Sequence, residues 1–312
     1  MSTRTVCFLA AFLLSCSARS ASLENAQPGK VEITEQKGKL EIAVNGRHFA
    51  DYVFEGYSRP FLFPIIGPNG AKMTRNWPLA AGENEEHDHP HHKSFWWGHG
   101  DMNGIDFWAE GKNSGKVVQK ALTKVASGTV GTIASKNDYV DQEGKVICTD
   151  ERTLRIYSTG EGQIFDFDVT VHASHGDLKF GDTKEGTMAL RLAETMRLKG
   201  KVGQGHIVNS EGVRDQETWG KRAKWVDYYG PVEGKTVGIA MFDHPSNPRH
   251  PTWWHVRDYG LFAANPFGLH DFDKKEEGAG NLTVPAGKKI TFKYRFYIHS
   301  GDEKQAKVAR AF

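Results

Sequence analysis

The sequence predicts an all-β fold, built as a large antiparallel β-sandwich. Several segments alternate apolar and polar residues, as strands with one buried face do. Gly, Asn and Asp turn signals separate these segments. No segment keeps a helical period, apart from a short helix expected in "EKQAKVARAF" at the C-terminus. We therefore expect two large antiparallel sheets packed face to face.

The N-terminus has the features of an export signal. Arg4 precedes a short apolar run, and Ala18 and Ser20 are small residues spaced for signal peptidase. This pattern predicts a signal peptide over residues 1–20 and release of the protein to the periplasm or the extracellular space. A lipid anchor at Cys16 is the alternative, although Leu14 fits that signal poorly. No later segment is long and apolar enough to span a bilayer.

The remaining chain, residues 22–312, is expected to form a single domain. Its clearest strand candidates, in chain order, are "KLEIAV" (39–44), "IFDFDVTVH" (164–172), "MALRLAETMRL" (188–198), "GKTVGIAMF" (234–242) and "KITFKYRFYIHS" (289–300). No linker or internal repeat divides them. Cys148 is the only cysteine beyond the signal, so an internal disulfide is excluded and the core must be self-sufficient.

The overall charge argues against a nucleic-acid partner. The chain has 40 basic and 38 acidic residues, a net charge of +2, whereas nucleic-acid binding usually requires a basic surface. Arg222 lies in a segment where basic and aromatic residues alternate, "WGKRAKWVDYYG", and we assign it to a carbohydrate groove instead. The sequence contains no G-x-S-x-G elbow, Walker loop, dinucleotide fingerprint or H-E-x-x-H motif.

The stretch "DHPHHKSFWWGHGDMNGIDFW", residues 88–108, is the strongest candidate for a site. It contains four histidines, three tryptophans and three aspartates. If "SFWWGHGDMN" is extended, alternate side chains share one face, namely Trp97, His99, Asp101 and Asn103. An indole beside polar groups suits a sugar ring, and Asp101 near His99 would tune its pKa for proton transfer. His92 is a further proton-transfer candidate.

A metal site is the competing hypothesis for the same stretch. His89 and His91 form an H-x-H pair, a common ligand spacing on extended chain, and His99, His255 or Glu194 would supply a third ligand. Pro90 between the two histidines weakens this pattern. The carbohydrate hypothesis requires no cofactor, whereas this alternative requires a divalent metal.

A second candidate segment covers residues 242–272. Pro245, Pro248 and Pro251 predict a stiff, irregular loop, and such loops on a β-scaffold often carry binding and catalytic residues. His255 is expected to transfer protons here. Trp253 is expected to stack on substrate, and polar residues to bind it, namely Arg249, Arg257 and Asn265.

A third segment, "GDTKEGTMALRLAETMR", contributes Arg191 and Glu194. Arg191 falls on the polar face of its strand and can clamp a carboxylate or a pair of hydroxyls. Glu194 shares the parity of the apolar residues, so it points inward as a candidate acid or base, unless a bulge returns it to solvent.

Several of these motifs together resemble an exported bacterial family labelled PmoA-like. The resemblance covers about residues 50–300, through "PIIGPNGAKMTRNWP", the 88–108 stretch, "GDTKEGTMALRLAE", "WGKRAKWVDYYG", "HPSNPRHPTWWHVRDYG" and "NPFG". A methane oxygenase subunit would span a membrane several times, which this chain does not predict. In architecture the family resembles the supersandwich fold of galactose mutarotases, which implies a carbohydrate groove and histidine–glutamate chemistry.

These observations favour a secreted carbohydrate-active enzyme that works on a glycoside or uronate by acid/base chemistry, as a hydrolase, lyase or epimerase. Two alternatives remain: a metal-dependent oxygenase or hydrolase, and a non-catalytic glycan-binding module. The number of histidines argues against a plain binding module, because lectin-like sites seldom need proton transfer. The sequence does not specify an oligomeric state.

Overall fold

The computed structural model describes Met1, residues 29–159 and residues 162–312. Apart from Met1, the predicted signal peptide and the alternative anchor at Cys16 lie outside the described residues. No helix in the described part of the chain is both long and apolar enough to cross a membrane.

The described residues are mostly β-strand. The strands are β1 (Val31–Gln36), β2 (Lys39–Val44), β3 (Arg47–Val53), β4 (Phe61–Phe63), β5 (Phe95–His99), β6 (Lys116–Ala126), β7 (Val130–Val140), β8 (Val146–Tyr157), β9 (Gln163–His172), β10 (Leu178–Phe180), β11 (Gly186–Arg191), β12 (His206–Asn209), β13 (Trp225–Val232), β14 (Lys235–Asp243), β15 (Trp253–Val256), β16 (Leu261–Asn265), β17 (Leu282–Val284) and β18 (Lys289–Ser300). The helices are short: α1 (Leu269–Asp273), α2 (Val308–Ala311) and the 3₁₀ turns Pro68–Gly70, Glu194–Met196 and Asp215–Thr218.

The strands form two eight-stranded antiparallel sheets, which confirms the predicted β-sandwich. The first sheet has the order β1–β2–β3–β4–β5–β11–β16–β15, and the second β12–β13–β14–β18–β9–β8–β7–β6. A small sheet pairs β10 with β17. Aromatic rings join the two large sheets: the centroid of Phe95 on β5 lies 5.6 Å from that of Phe165 on β9 and 4.9 Å from that of Phe296 on β18.

The strongest alternation patterns correspond to observed strands. On β9, Phe165, Phe167, Val169 and Val171 are buried in the interior, and β18 buries its own apolar set opposite them. The segments 39–44 and 234–242 also form strands, β2 and β14. On β2 and β9 one face is buried and the other is partly exposed, which made their alternation recognisable in the sequence. β14 is buried on both faces after its first two residues.

Three predicted elements differ from the structure. The strand expected over 188–198 ends at Arg191, and a 3₁₀ turn from Glu194 to Met196 interrupts its alternation. The segment expected as one irregular loop, 242–272, contains β15 and β16, which continue the first sheet. The C-terminal helix is a single turn, α2. Each difference falls where short strands or turns give too few residues for a period to emerge.

Candidate functional site

The outer face of the first sheet is covered by loops. Alternate residues of β5, β11, β16 and β15 point away from the sandwich interior, and part of this face forms a second apolar cluster of Phe61, Trp96, Trp108, Ala189, Leu261 and Ala263. Residues 76–94, which we call the histidine loop, lie against this face and carry His87, His89, His91 and His92. The histidine loop therefore meets side chains of β11 and β15 there.

Asp88 anchors the histidine loop to two buried arginines. Arg75 and the Nη2 of Arg191 both donate to its Oδ1, the latter at 2.7 Å. Both guanidinium groups are fully buried. Burial alone would raise the pKa of Asp88, but its hydrogen bond with His89 and the charges of Arg191 and Arg75 hold that pKa well below its usual range. Asp88 is therefore an acceptor only.

His89 is oriented by this carboxylate. Its Nδ1 lies 2.9 Å from Asp88 Oδ2, and because the carboxylate only accepts, Nδ1 carries the proton and the lone pair is on Nε2. The imidazole is stacked between His92, with centroids 4.7 Å apart, and Tyr259, 5.2 Å away. The backbone φ of His89 is +44°, a conformation that non-glycine residues rarely adopt. The surrounding contacts hold a 40% exposed side chain in one orientation.

His92 is a neutral hydrogen-bond donor. Arg191 Nη1 donates to its Nδ1 at 3.1 Å, so the proton of the neutral ring is on Nε2. Burial, followed by the charges of His91 and Arg191, lowers the pKa of His92 well below its ordinary value. His92 Nε2 has no hydrogen-bond partner among the described residues. His92 was predicted to transfer protons. Because Arg191 already occupies its accepting nitrogen, Nδ1, His92 is suited instead to donating a hydrogen bond.

His91 packs edge-on against His92, with ring centroids 4.5 Å apart. Burial, followed by the positive charge of Arg59, lowers the pKa of His91 to about 4. His91 and His92, which lie between Pro90 and Lys93 in the histidine loop, are therefore both neutral at pH 7.

His255 reaches the same face from β15. Its Nδ1 donates to the carbonyl oxygen of Lys184 at 2.7 Å, which leaves the lone pair on Nε2. Burial lowers the pKa of His255 to about 3, and the charges of Arg257, Lys184 and His89 act in the same direction. Ring contacts connect His255 with the histidine loop. Trp219 lies edge-on to His255, with ring centroids 6.4 Å apart, and Arg257 lies over both Trp219 and Tyr259, the ring that stacks on His89.

Glu185 follows Lys184, whose carbonyl oxygen accepts from His255. Among the described residues, no arginine pairs with the Glu185 carboxyl group. Its side chain is 37% exposed, and Lys184 Nζ lies 3.6 Å from its Oε1. Burial raises the pKa of Glu185, and the charges of Lys184 and His89 offset this only in part. A carboxyl group with a raised pKa is a candidate general acid.

Two predicted residues lie in the sandwich interior instead of the site. Trp97 and His99 do share one face of β5, but that face packs against the second sheet. The ring centroid of Trp97 lies 4.8 Å from that of Phe292 on β18. His99 Nε2 donates to the carbonyl oxygen of Gly181 at 2.9 Å, and burial lowers its pKa to about 4. Neither side chain is accessible to a sugar.

Asp101 and Asn103 lie beyond the end of β5 and stabilise turns. Asp101 Oδ1 accepts from the backbone N–H of Gly104 at 2.7 Å. Asn103 donates to the carbonyl oxygen of Asp177 and accepts from the N–H of Lys179. Asp101 lies beyond the end of the strand and holds this turn instead of orienting His99. Burial lowers the pKa of His99 by more than the charge of Asp101 raises it.

Glu194 was predicted either to point inward from a strand or to be returned to solvent by a bulge. It is buried, but in a 3₁₀ turn and not in a strand. Arg197 pairs with it and also donates to Glu86 Oε2 at 3.1 Å. This ion pair ties the histidine loop to the end of β11.

The other predicted binding residues hold backbone segments in place. Arg222 donates to the carbonyl oxygen of Pro251 and lies 4.4 Å over the ring of Trp253. Arg249 donates to the carbonyl oxygen of Pro266, and Asn265 to that of Thr183. Backbone carbonyls engage Arg222, Arg249 and Asn265, and Trp253 is buried beneath Arg222. We therefore leave these four residues out of the proposed site.

Sequence reasoning missed four contributors to the site. Arg75 gave no signal, since a buried arginine resembles a surface one in the sequence. Asp88 could be recognised only as the residue beside His89. Glu185 lies in a turn segment, where charged residues usually face solvent, and Tyr259 was only one of several aromatic residues. Their roles depend on pairings between distant segments, which only the fold reveals.

The described residues contain no group of three or more His, Cys, Asp or Glu side chains arranged to hold a metal ion. The H-x-H pair of His89 and His91 therefore has no third ligand in this part of the chain. Glu194 is paired with Arg197, His99 lies in the interior, and His255 does not complete a group of three.

The family model described as "Family of unknown function (DUF6807)" matches residues 39–312, so the chain belongs to that family. The resemblance to a PmoA-like family is not confirmed by this match. No curated protein sequence matches the chain.

Similar solved structures include two galactose-mutarotase-like proteins. One is a galactose mutarotase related enzyme from Lactobacillus acidophilus, with 10% identity, a TM-score of 0.32, and coverage of 86% of this chain and 97% of that one. The other is a galactose mutarotase-like protein from Lactobacillus casei, with 12% identity, a TM-score of 0.29, and coverage of 86% and 100%. A 4-alpha-glucanotransferase from Thermococcus litoralis shares 10% identity over 86% of this chain and 37% of its own length, with a TM-score of 0.25.

Proposed function

We propose that this member of the DUF6807 family is an exported, carbohydrate-active enzyme that transfers protons at His89 and Glu185. The observation that carries the proposal is the orientation of His89, whose ring is fixed by Asp88 and stacked between His92 and Tyr259 while its Nε2 stays free. Structural histidines seldom combine a carboxylate partner held by two buried arginines with a nitrogen that has no hydrogen-bond partner among the described residues.

His89 acts as the general base in this proposal. An ionised carboxylate on Nδ1 stabilises the imidazolium that forms when Nε2 takes a proton. Arg75 and Arg191 keep Asp88 ionised, so that Asp88 stabilises the charge without taking up the proton itself. The stacking rings keep the imidazole in position during transfer.

Glu185 acts as the general acid. Its pKa is raised by burial, so a fraction of its carboxyl groups retains the proton nearer to neutral pH than a solvated glutamate does. In this proposal the two side chains face a common substrate, which the interaction of their charges supports. A general base and a general acid that face one bound sugar ring can remove a proton at one end of a bond and supply a proton at the other end.

A polyhydroxylated substrate fits the rest of this surface. The partly exposed His89, Lys184 and Glu185 supply polar groups of both hydrogen-bonding kinds, and Trp219 supplies a half-buried indole whose ring centroid lies 6.4 Å from that of the buried His255. Sugars combine hydroxyl groups of both hydrogen-bonding kinds with a C–H face that packs on aromatic rings. A purely apolar ligand would leave these polar groups unpaired at a cost in free energy.

The test is turnover of an oligosaccharide panel, followed by carbohydrate chromatography, with wild type and two variants. His89→Ala is expected to lower kcat roughly 10²–10⁴-fold on any substrate found, because the general base is lost. Glu185→Gln is expected to lower kcat as well, since the amide has no proton to transfer.

The matched control is His87→Ala, which removes an exposed histidine of the same loop that stacks on Trp77. It should retain the wild-type kcat. Wild-type turnover by His89→Ala would contradict the proposal. Binding of a glycan without product after long incubation would replace it with the non-catalytic binding module.

A further inference from the structure

Among the described residues, no ion pair or hydrogen bond engages the guanidinium group of Arg257, which lies within the proposed site. We propose that Arg257 binds a carboxylate of the substrate, so that the site takes acidic sugars. This inference rests on the proposed function, because it assigns the substrate class of the same site.

The Arg257 side chain makes only ring contacts. Its guanidinium carbon lies 5.7 Å from the centroid of Trp219 and 5.5 Å from that of Tyr259. In the part of the chain that the structure describes, no ion pair or hydrogen bond uses its guanidinium. The other arginines around the site differ in this respect, since carboxylates or backbone carbonyls engage Arg75, Arg191, Arg197, Arg222 and Arg249.

The backbone of Arg257 is nevertheless held firmly. Its N–H donates to the carbonyl oxygen of Leu261 at 2.7 Å, and its own carbonyl oxygen accepts from the hydroxyl of Tyr228 at 3.1 Å. A fixed backbone with a side chain supported by two rings and free donors is a preorganised anion site, because little conformational entropy is lost when a ligand binds.

The position of Arg257 connects it to the acid/base pair. Tyr259, one of the two rings that Arg257 contacts, also stacks on the imidazole of His89. The charge of Arg257 also contributes to the lowered pKa of His255. An anion on Arg257 is therefore close to the oriented histidine.

The surrounding charges favour an anion. Arg75 and Arg191 share one carboxylate, that of Asp88, and Lys184 lies beside Glu185. Arg257 has no carboxylate partner among the described residues. Lys274 lies over the Trp219 ring as well, 6.0 Å from its centroid. Since Asp88 is already shared by two arginines, the surplus positive charge attracts a negatively charged ligand. The planar fork of a guanidinium matches a carboxylate in particular.

The test compares oligouronates from pectate and alginate with the same oligosaccharides after chemical reduction of their carboxyl groups to alcohols. Binding is measured by calorimetry at low salt. Wild type should bind at least one oligouronate about ten to a hundred times more tightly than its reduced form, as expected for charge-assisted hydrogen bonds. Arg257→Gln should lose this preference, and Arg257→Lys should keep part of it.

Arg310→Gln is the matched control, because it removes an exposed guanidinium on α2, whose Val308 packs on the second sheet. It should bind like wild type. Equal binding of native and reduced sugars, or wild-type affinity in Arg257→Gln, would overturn the inference.

The two proposals can fail separately. Turnover of neutral sugars that depends on His89 but not on Arg257 keeps the proposed function and refutes the acidic substrate. Uronate binding that depends on Arg257, with no turnover by any form of the protein, keeps the acidic ligand and refutes the acid/base function.

Discussion

His99 provides a test of the fold that is independent of the site. The side chain lies in the sandwich interior between Phe180 and Phe267, with centroids 5.6 and 4.7 Å away. Its Nε2 donates to the carbonyl oxygen of Gly181, and burial lowers its pKa to about 4. We expect this neutral histidine to make the native state less stable as the pH falls.

The sign follows from the two protonation states. An unfolded histidine has a pKa of about 6.5, so at pH 5 the unfolded chain holds a proton on His99 that the native state still lacks. The stability from this group is fully present above about pH 6.5 and is lost as the pH falls toward the folded pKa. Between pH 7 and pH 5 the loss is about 2 kcal/mol for this residue alone.

The assay is urea unfolding of wild type and His99→Gln at pH 7 and pH 5. The glutamine variant has its own packing defect at both pH values, so the informative quantity is the change between them. Its free energy of unfolding should fall by about 2 kcal/mol less than that of wild type. His175→Gln, an exposed histidine, should fall as wild type does. An equal fall in His99→Gln would refute the interior placement.

Two further substitutions test the packing of the sheets by urea unfolding. Gly98→Ala should cost about 1–3 kcal/mol, because its new Cβ would lie 2.6 Å from the backbone oxygen of Phe107, whereas Gly111→Ala meets only a side-chain atom at 3.9 Å and should be nearly neutral. Asp150→Ala should cost about 3–5 kcal/mol, since it leaves the buried Arg152 without its carboxylate. A loss below 1 kcal/mol would contradict that pairing.

The sequence predicted the sandwich because long strands repeat their pattern many times. It could not decide which face of β5 points inward, since all five residues of β5 are buried. Trp97 packs between the sheets, while Trp96 packs under the loops of the outer face with Trp108. Period-two alternation separates two faces but does not identify the interior when both are covered.

The candidate site was predicted only in part for a different reason. The histidines were conspicuous in the sequence, and the structure does bring His89, His92 and His255 together. Their chemistry, however, depends on partners that are distant in sequence: Arg191 lies 103 residues from Asp88 and 99 from His92. Local spacing carries no information about such pairs, so the roles of the three histidines could not be assigned from it.

Asp88 links the stability of the fold to the chemistry proposed for it. Arg75 and Arg191 are fully buried, and burying two guanidinium groups without a carboxylate would cost several kcal/mol. The same carboxylate fixes the tautomer of His89 through its second oxygen. The histidine therefore acquires its free Nε2 only when the histidine loop has docked on β11. Any substitution of Asp88 must then affect folding and proton transfer together, which is why His89 and Glu185, rather than Asp88, are the residues that isolate the chemical step.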